Sequence, residues 1–537
     1  MTVEQIESQN EVPTDVVARA HEASQAADTE KAMTLWQGLK AYPKAVGWSI
    51  LLSTALVMEG YDTSVIGNLN SFSAFQMKYG RPNPNGDGYN LTAAWQAGLG
   101  NGTSVGEIFG LFLSGYLSDI IGYRKMMLLS LFMITAFIFI PFFAPNIIVL
   151  EVGEILCGVA WGIFQTLTTA YASEVCPVVL RHYLTSYVNM CWVFGQLIAA
   201  GVVRAMLNRT DKFAYKIPFA IQWIWPVPLF IGMLFAPESP WWLVRKGRIE
   251  EAKKNLKRLT SKSDMLNIEQ TLAMMIHTTE VEKAMAKKEK ETSYLDCFRG
   301  VDLRRTEIVC MVWATQVLSG AYLNTIYFLE QAGLTETQAF DLGLGQNGMA
   351  IVATACSWAL MSRVGRRKIY MAGLIAMGGI LLIVGFLALA PATDKGPLWA
   401  QGVLLVFFVV AYDLTIGPVC YTLVAELSST RLRQKSIVLA RNTYNIIGLA
   451  ASTLLPYQIN QSAWDWKGKL GFFWFGSCAI TFVWVYFRLP EPKGRTYAEL
   501  DLLFEKKVSA RKFASTEVNI YEGAELLLAQ EKGIHAE

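Results

Sequence analysis

The chain is short of charge. Lysine, arginine, aspartate and glutamate supply 17% of its 537 residues, against about 25% in a soluble globular protein. That deficit argues against an ordinary water-soluble domain. The chain also lacks the signatures of several enzyme classes. It has no GxxxxGK[ST] loop and no GxGxxG between a strand and a helix, which argues against nucleotide-driven pumping. Its four histidines show no HExxH-like spacing and its eight cysteines no CxxC pair. Neither a metal centre nor a disulfide framework is expected, and the cysteines read as small buried hydrophobes. No nucleophile–base set is visible, so no enzyme activity and no cofactor are expected. A net charge of +3 is too small to point to nucleic acid. The polar first 44 residues contain no apolar core of a signal peptide, and none is expected.

What the chain has is apolar length. Hydrophobic residues make up 53%, the mean hydropathy is +0.31, and apolar runs of about 20 residues recur, as in a polytopic membrane protein. About twelve spans are expected, centred near residues 56, 105, 136, 161, 194, 227, 317, 351, 380, 409, 448 and 478. Basic residues follow the even spans: Arg124 and Lys125, Arg181, then Arg363, Arg366, Arg367 and Lys368, then Arg431, Arg433 and Lys435. The positive-inside rule places these loops and both termini in the cytosol. Arg204, Arg209, Lys212 and Lys216, after the fifth span, run against the trend. Asn90, Asn208 and Asn460 open N-x-S/T tripeptides on the expected outer side.

The expected fold is an all-α membrane protein. Twelve transmembrane helices form two pseudo-symmetric six-helix bundles, residues 45–236 and 305–490, with a cytosolic helical linker, 237–304. Residues 1–44, read as mostly disordered, and 491–537 form cytosolic tails. The linker is highly charged, with RIEEAKKNLKRL carrying opposite charges at helical spacing. The two halves carry matching signals. GYLSDIIGYRK (Gly115 to Lys125) and MSRVGRRK (Met361 to Lys368) follow the second and eighth spans. Glu174 and Glu426 each precede an arginine by seven residues, Arg181 and Arg433. Such duplication around a central path is a transporter architecture. Asp119, Arg124, Glu174, Arg181, Arg366, Glu426 and Arg433 are the expected gating residues. They sit at cytosolic helix ends, where pairing across helices holds an inner gate shut.

These motifs, with PESPWWL (Pro237 to Leu243), AELSSTRLR (Ala425 to Arg433) and PEPKGRTYAEL (Pro490 to Leu500), resemble the sugar porter family of the major facilitator superfamily. The resemblance covers roughly residues 45 to 505. MEGYD (Met58 to Asp62), Gly153 to Pro177 and ARNTYN (Ala440 to Asn445) narrow it to the fungal α-glucoside, maltose-type proton symporters. The chain departs from the family at several points. Trp241 stands where the family usually has the arginine of PESPR, and Ser362 where it has aspartate. Val317 and Tyr322 replace two sugar-contacting amides, and Tyr421 replaces a tryptophan. Glu154 stands where hexose porters often have arginine.

Charge at membrane depth marks the candidate site. A buried charge there must face a partner or water. Glu59 and Asp62 lie three residues apart in AVGWSILLSTALVMEGYDTSVIG, on roughly one helix face. Glu107, Glu154 and Arg441 complete the expected proton-coupling set, with Asp62 the first choice for the proton carrier. Sugar recognition calls for amides, carboxylates and aromatic faces. Gln196 and Gln316 are expected contacts from the resemblance. Gln165, Tyr322, Asn324, Tyr421, Asn442 and Asn445 are candidates by residue type and place. The expected partners are a sugar, a proton and the lipid bilayer, with no nucleic acid, and the chain is expected to work as a monomer. The expected function is proton-coupled uptake of an α-glucoside across the plasma membrane by alternating access. The alternatives are a carrier for another sugar (hexose, sucrose, trehalose or a β-linked disaccharide) and a transporter-like sugar sensor.

Overall fold

The computed structural model describes residue 25 and residues 29–518, except 31, 70–72, 83–88, 207–208, 210, 262–266, 286–292, 321–335, 392–394, 430, 460–463 and 465. Long helices dominate. The second to fifth spans are Ala93–Ile121, Tyr123–Phe137 continued by Phe139–Phe143, Ile147–Val175 and Val178–Met206. The sixth runs from Phe213–Ile221 into Pro226–Phe235. In the second half, Gly300–Leu318, Glu336–Arg363, Arg366–Leu387, Arg433–Ile459 and Leu470–Arg488 are the seventh, eighth, ninth, eleventh and twelfth. The tenth is Lys395–Leu414 and Ile416–Leu427, broken at Thr415. The first is likewise broken, into Pro43–Ser53 and Ala55–Leu69, with the Thr54 hydroxyl donating to the Ile50 carbonyl at 2.9 Å.

Among the described residues, eight helices are long and apolar enough to cross a bilayer unaided. The first, seventh, eighth and eleventh are not among them. The eleventh carries Arg441, Asn442 and Asn445, and the first carries Glu59, Asp62 and the break at Thr54. Both helices are diluted by polar residues, charged and uncharged.

Glycine sets the close helix crossings. A Cβ on Gly60 would lie 2.1 Å from the Trp192 carbonyl oxygen, and one on Gly195 would lie 2.2 Å from that of Val57. The first and fifth spans therefore cross backbone to backbone, which brings Trp192 to Glu59. Gly60→Val is expected to lose most folded transporter, because the colliding atom is backbone and overpacking costs about 1–3 kcal/mol or more. Gly67→Val, with nothing within 4 Å of its added Cβ, is the control. Fluorescence-detected size-exclusion yield of the two variants checks this.

The internal duplication has a physical basis at the turns after the second and eighth spans. Glu238, from PESPWWL, accepts from the Tyr123 N–H at 2.9 Å and the Arg124 N–H at 3.2 Å. Glu491, from PEPKG, accepts from the Arg366 N–H at 2.9 Å and the Arg367 N–H at 3.0 Å. Each carboxylate thus caps the free amides at the start of the third or ninth span, where the helix dipole favours a negative charge. Gly122 and Gly365 leave the space each carboxylate needs.

The described residues just before the first span are partly helical. Thr34 and Gln37 form a capping box that starts the helix Leu35–Ala41, and Ala41 and Tyr42 are buried. The linker helices Pro240–Arg245, Ile249–Leu259 and Ile268–Met285, and the C-terminal helix Tyr497–Glu505, lie on the same side. The discordant basic residues beyond the fifth span are partly neutralised: Arg204 pairs with Asp341 at 3.1 Å and Arg209 with Asp211 at 3.1 Å. Asn90 lies in a two-residue strand paired with Arg81–Pro82, whereas Asn208 and Asn460 fall outside the described residues.

Candidate functional site

The first, fourth, fifth and eleventh spans converge on one buried polar cluster. Glu59 is fully buried. Its Oε1 accepts from Gln165 Nε2 at 2.6 Å and from Trp192 Nε1 at 2.8 Å. Arg441 Nε donates to Gln165 Oε1 at 2.7 Å, and its Nη2 lies 3.6 Å from Glu59 Oε1. Gln165 therefore bridges cation and acid, donating to one and accepting from the other. The guanidinium also stacks 4.5 Å from the Trp313 ring centroid and 4.2 Å from that of Tyr444. Glu107, from the second span, faces Arg441, Gln165 and Asn445. One cation from the second half thus balances acids from the first.

Asp62 looks elsewhere. Although three residues from Glu59, it does not share its partners. Gln222 Nε2 donates to Asp62 Oδ1 at 2.5 Å and Trp161 Nε1 to Oδ2 at 3.3 Å. Glu154 lies against Asp62 and is itself fully buried. Asp62 and Glu154 are neighbouring buried carboxyls: Asp62 is held by the Gln222 amide and the Trp161 indole, Glu154 has neither oxygen hydrogen-bonded and also senses Glu151, and Arg441 serves Glu59 and Glu107.

A cavity opens beside this cluster. Glu59, Gln165 and Arg441 supply its polar wall, and Trp192, Trp313 and Tyr421 its aromatic one. Trp313 and Tyr421 meet edge to face at 4.8 Å. Hydroxyl-binding groups opposite aromatic faces suit a sugar.

The other expected sugar contacts that fall among the described residues do not line this cavity. Gln196 is partly buried a turn beyond Trp192 and does not line it. Gln316 is buried and donates to the Gly417 carbonyl at 3.2 Å, tying the seventh span to the broken tenth. Asn442 is buried with neither side-chain polar atom hydrogen-bonded. Tyr322 and Asn324 fall outside the described residues. Trp161, Trp192, Trp313 and Gln222 carry hydrogen bonds or cavity walls here and had no mark in the sequence beyond residue type.

The helix ends that carry the repeated turn motifs are tied across the halves. Arg433 Nη1 lies 3.5 Å from Glu174 Oε1 and Lys435 pairs with Asp119. Glu174 also pairs with Arg245 at 2.8 Å and accepts from the Ser239 hydroxyl at 2.5 Å and the Tyr123 hydroxyl at 3.0 Å. Arg181 and Arg433 stack on Tyr497, 3.8 and 3.9 Å from its centroid. Arg366 pairs with Glu426 at 3.1 Å inside the second half. Arg124 turns to the end of the sixth span, its Nε donating to the Met233 carbonyl at 3.2 Å. It braces its own half and takes no part in the ties between halves.

Glu174→Gln is expected to loosen this closure. Loss of one buried charge partner, about 1–3 kcal/mol, corresponds to roughly tenfold or more in the open fraction. Mass-spectrometric alkylation of buried Cys176, beside Glu174, should accelerate by about that factor; an unchanged rate removes Glu174 from the gate.

Twelve helices in two repeated halves, closed around buried acids and one guanidinium, define a secondary transporter. A family model described as sugar (and other) transporter matches residues 48–504. A maltose permease of Saccharomyces cerevisiae is 41% identical over 532 residues, covering 98% of this chain and 86% of that one. A general alpha-glucoside permease of the same yeast is 43% identical over 506 residues, 93% of this chain and 81% of that one. Among solved structures, the major facilitator superfamily proton:xylose symporter of E. coli, bound to 6-bromo-6-deoxy-D-glucose, has a similar fold. Its TM-score is 0.74 at 18% identity, covering 86% of this chain and 99% of that chain. The chain belongs to the sugar transporter family, whose members are multi-pass membrane transporters and not enzymes.

Proposed function

We propose that the protein is a proton symporter of the plasma membrane that takes up an α-glucoside such as maltose, with both termini in the cytosol. The observation that carries the reading is the cavity joining Glu59, Gln165 and Arg441 to Trp313 and Tyr421. Sugar hydroxyls and the Arg441–Glu59 pair share one water-poor space there, so binding a sugar changes the surroundings of the acids. The relatives named as maltose and α-glucoside permeases support the substrate class. Asp62 and Glu154, away from the guanidinium, are the proton site in this reading. Glu59, Glu107 and Arg441 couple it to the sugar. Asp119, Glu174, Arg433 and Lys435 form the inner gate.

A membrane potential supplies about 2.3 kcal/mol per charge per 100 mV, enough for roughly fifty-fold accumulation. Labelled maltose in transporter-deficient yeast should therefore accumulate against its gradient, with alkalinisation of the medium. A protonophore should abolish accumulation and leave equilibration. Undiminished accumulation with the protonophore present rules out symport, and a panel of labelled sugars fixes the substrate.

A further inference from the structure

A second pocket lies on the cytosolic side. Four parts of the chain build it: the segment before the first span, the turn between the fourth and fifth spans, the linker, and the start of the C-terminal helix. No residue of the transport cavity lines it.

Its chemistry is unbalanced in a way that asks for a ligand. Arg181 is 4% exposed and lines the pocket, yet its Nε and Nη1 have no hydrogen-bond partner. Stacking on Tyr497 fixes the guanidinium plane without using those N–H groups. Glu30, 9% exposed, lines the same pocket and senses the charge of Arg181 without forming an ion pair with it. Buried donors without acceptors are costly. A carboxylate and a guanidinium held apart across a gap match a molecule that accepts from one and donates to the other. Neighbouring hydroxyls do both. Trp241, set edge-on to Tyr497 with ring centroids 6.3 Å apart, adds an aromatic wall. An anion fits less well. Burial pushes Glu30 up to about 6, so near neutral pH it is mostly charged and repels one.

We propose that this pocket binds a neutral polyhydroxylated molecule of monosaccharide size from the cytosol. Its occupancy holds the closed inner gate. The pocket exists only while the tail, the linker and Tyr497 meet at the Arg433–Glu174 tie, so a ligand seated there opposes opening toward the cytosol. Accumulated cytosolic sugar then slows further uptake. The site stands whichever sugar crosses the membrane.

The test uses full-length protein in lipid nanodiscs, with D-glucose as probe. Calorimetric titration should show binding that survives Gln165→Ala in the transport cavity. Glu30→Ala, which removes the acceptor, and Met275→Trp, which fills the pocket from the linker, should each weaken it tenfold or more. Both variants should keep labelled maltose uptake into sugar-free vesicles, and D-glucose preloaded on the cytosolic side should slow uptake in the parent but not in Glu30→Ala. The proposal falls if Gln165→Ala abolishes all glucose binding, or if Glu30→Ala and Met275→Trp both leave it undiminished. It also falls if inorganic phosphate binds the Gln165→Ala protein more tightly than glucose does. Loss of pocket binding with uptake intact would leave the symport reading standing.

Discussion

Asp62→Asn is expected to abolish sugar-driven proton uptake while leaving sugar exchange across the membrane. Asparagine keeps the volume, and its one carbonyl oxygen can still accept from Gln222, which holds Asp62 Oδ1 at 2.5 Å, while its NH2 takes the Oδ2 position and loses the weaker bond from Trp161 at 3.3 Å. It cannot take a proton. The bare carboxylate of Asp62 is held by neutral donors in a buried site with Glu154 beside it. Two acids that share a buried site do not readily ionise together. A change in access from one side to the other is then enough to load and unload that proton. Accumulation driven by 100 mV should fall from roughly fifty-fold to equilibration. Medium alkalinisation on sugar addition is the readout, with counterflow of labelled sugar as the control. Unchanged alkalinisation moves the carrier to Glu59 or Glu154.

The sequence exposes this site only where it breaks a rule. A carboxylate in an apolar run is visible without structure, and Glu59, Asp62, Glu107, Glu154 and Arg441 all stand out that way. Their partners do not. Trp161, Trp192 and Trp313 are three of 16 tryptophans, and nothing in spacing separates an indole that binds a carboxylate from one that meets lipid. The split between Glu59 and Asp62 was equally hidden. Residues three apart share a face, but the crossing at Gly60 and Gly195 presents Glu59 to the fifth span, while Gln222 draws Asp62 to the sixth. In the sequence, Arg124 and Arg433 look alike at the ends of spans. One caps carbonyls of its own half and the other reaches Glu174 across the interface, because a long flexible side chain takes its partner from tertiary placement. The two halves were legible because their turn motifs repeat. Glu238 and Glu491 show why both repeats need a Pro-Glu: each supplies the carboxylate that starts a helix.

Arg441→Leu should have the largest effect of any single substitution, and its partner variants separate two roles. The arginine is 6% exposed and, among the described residues, carries the only positive charge facing Glu59 and Glu107. Removing one member of a buried ion pair costs about 3–5 kcal/mol, because a charge is left uncompensated. Transport should fall a hundredfold or more, with folded yield reduced. Glu59→Gln alone should be milder, since Gln165 and Trp192 can still donate to the amide oxygen. The double variant Arg441→Leu with Glu59→Gln removes both charges of the pair. If the pair is structural only, the double variant should regain both yield and sugar accumulation. If it couples sugar to proton, yield should return while accumulation stays lost and exchange survives. The second outcome is expected. Gln165 touches Arg441, Glu59 and the cavity together, so a sugar that engages Gln165 must redistribute the hydrogen bonds that hold the acid's charge.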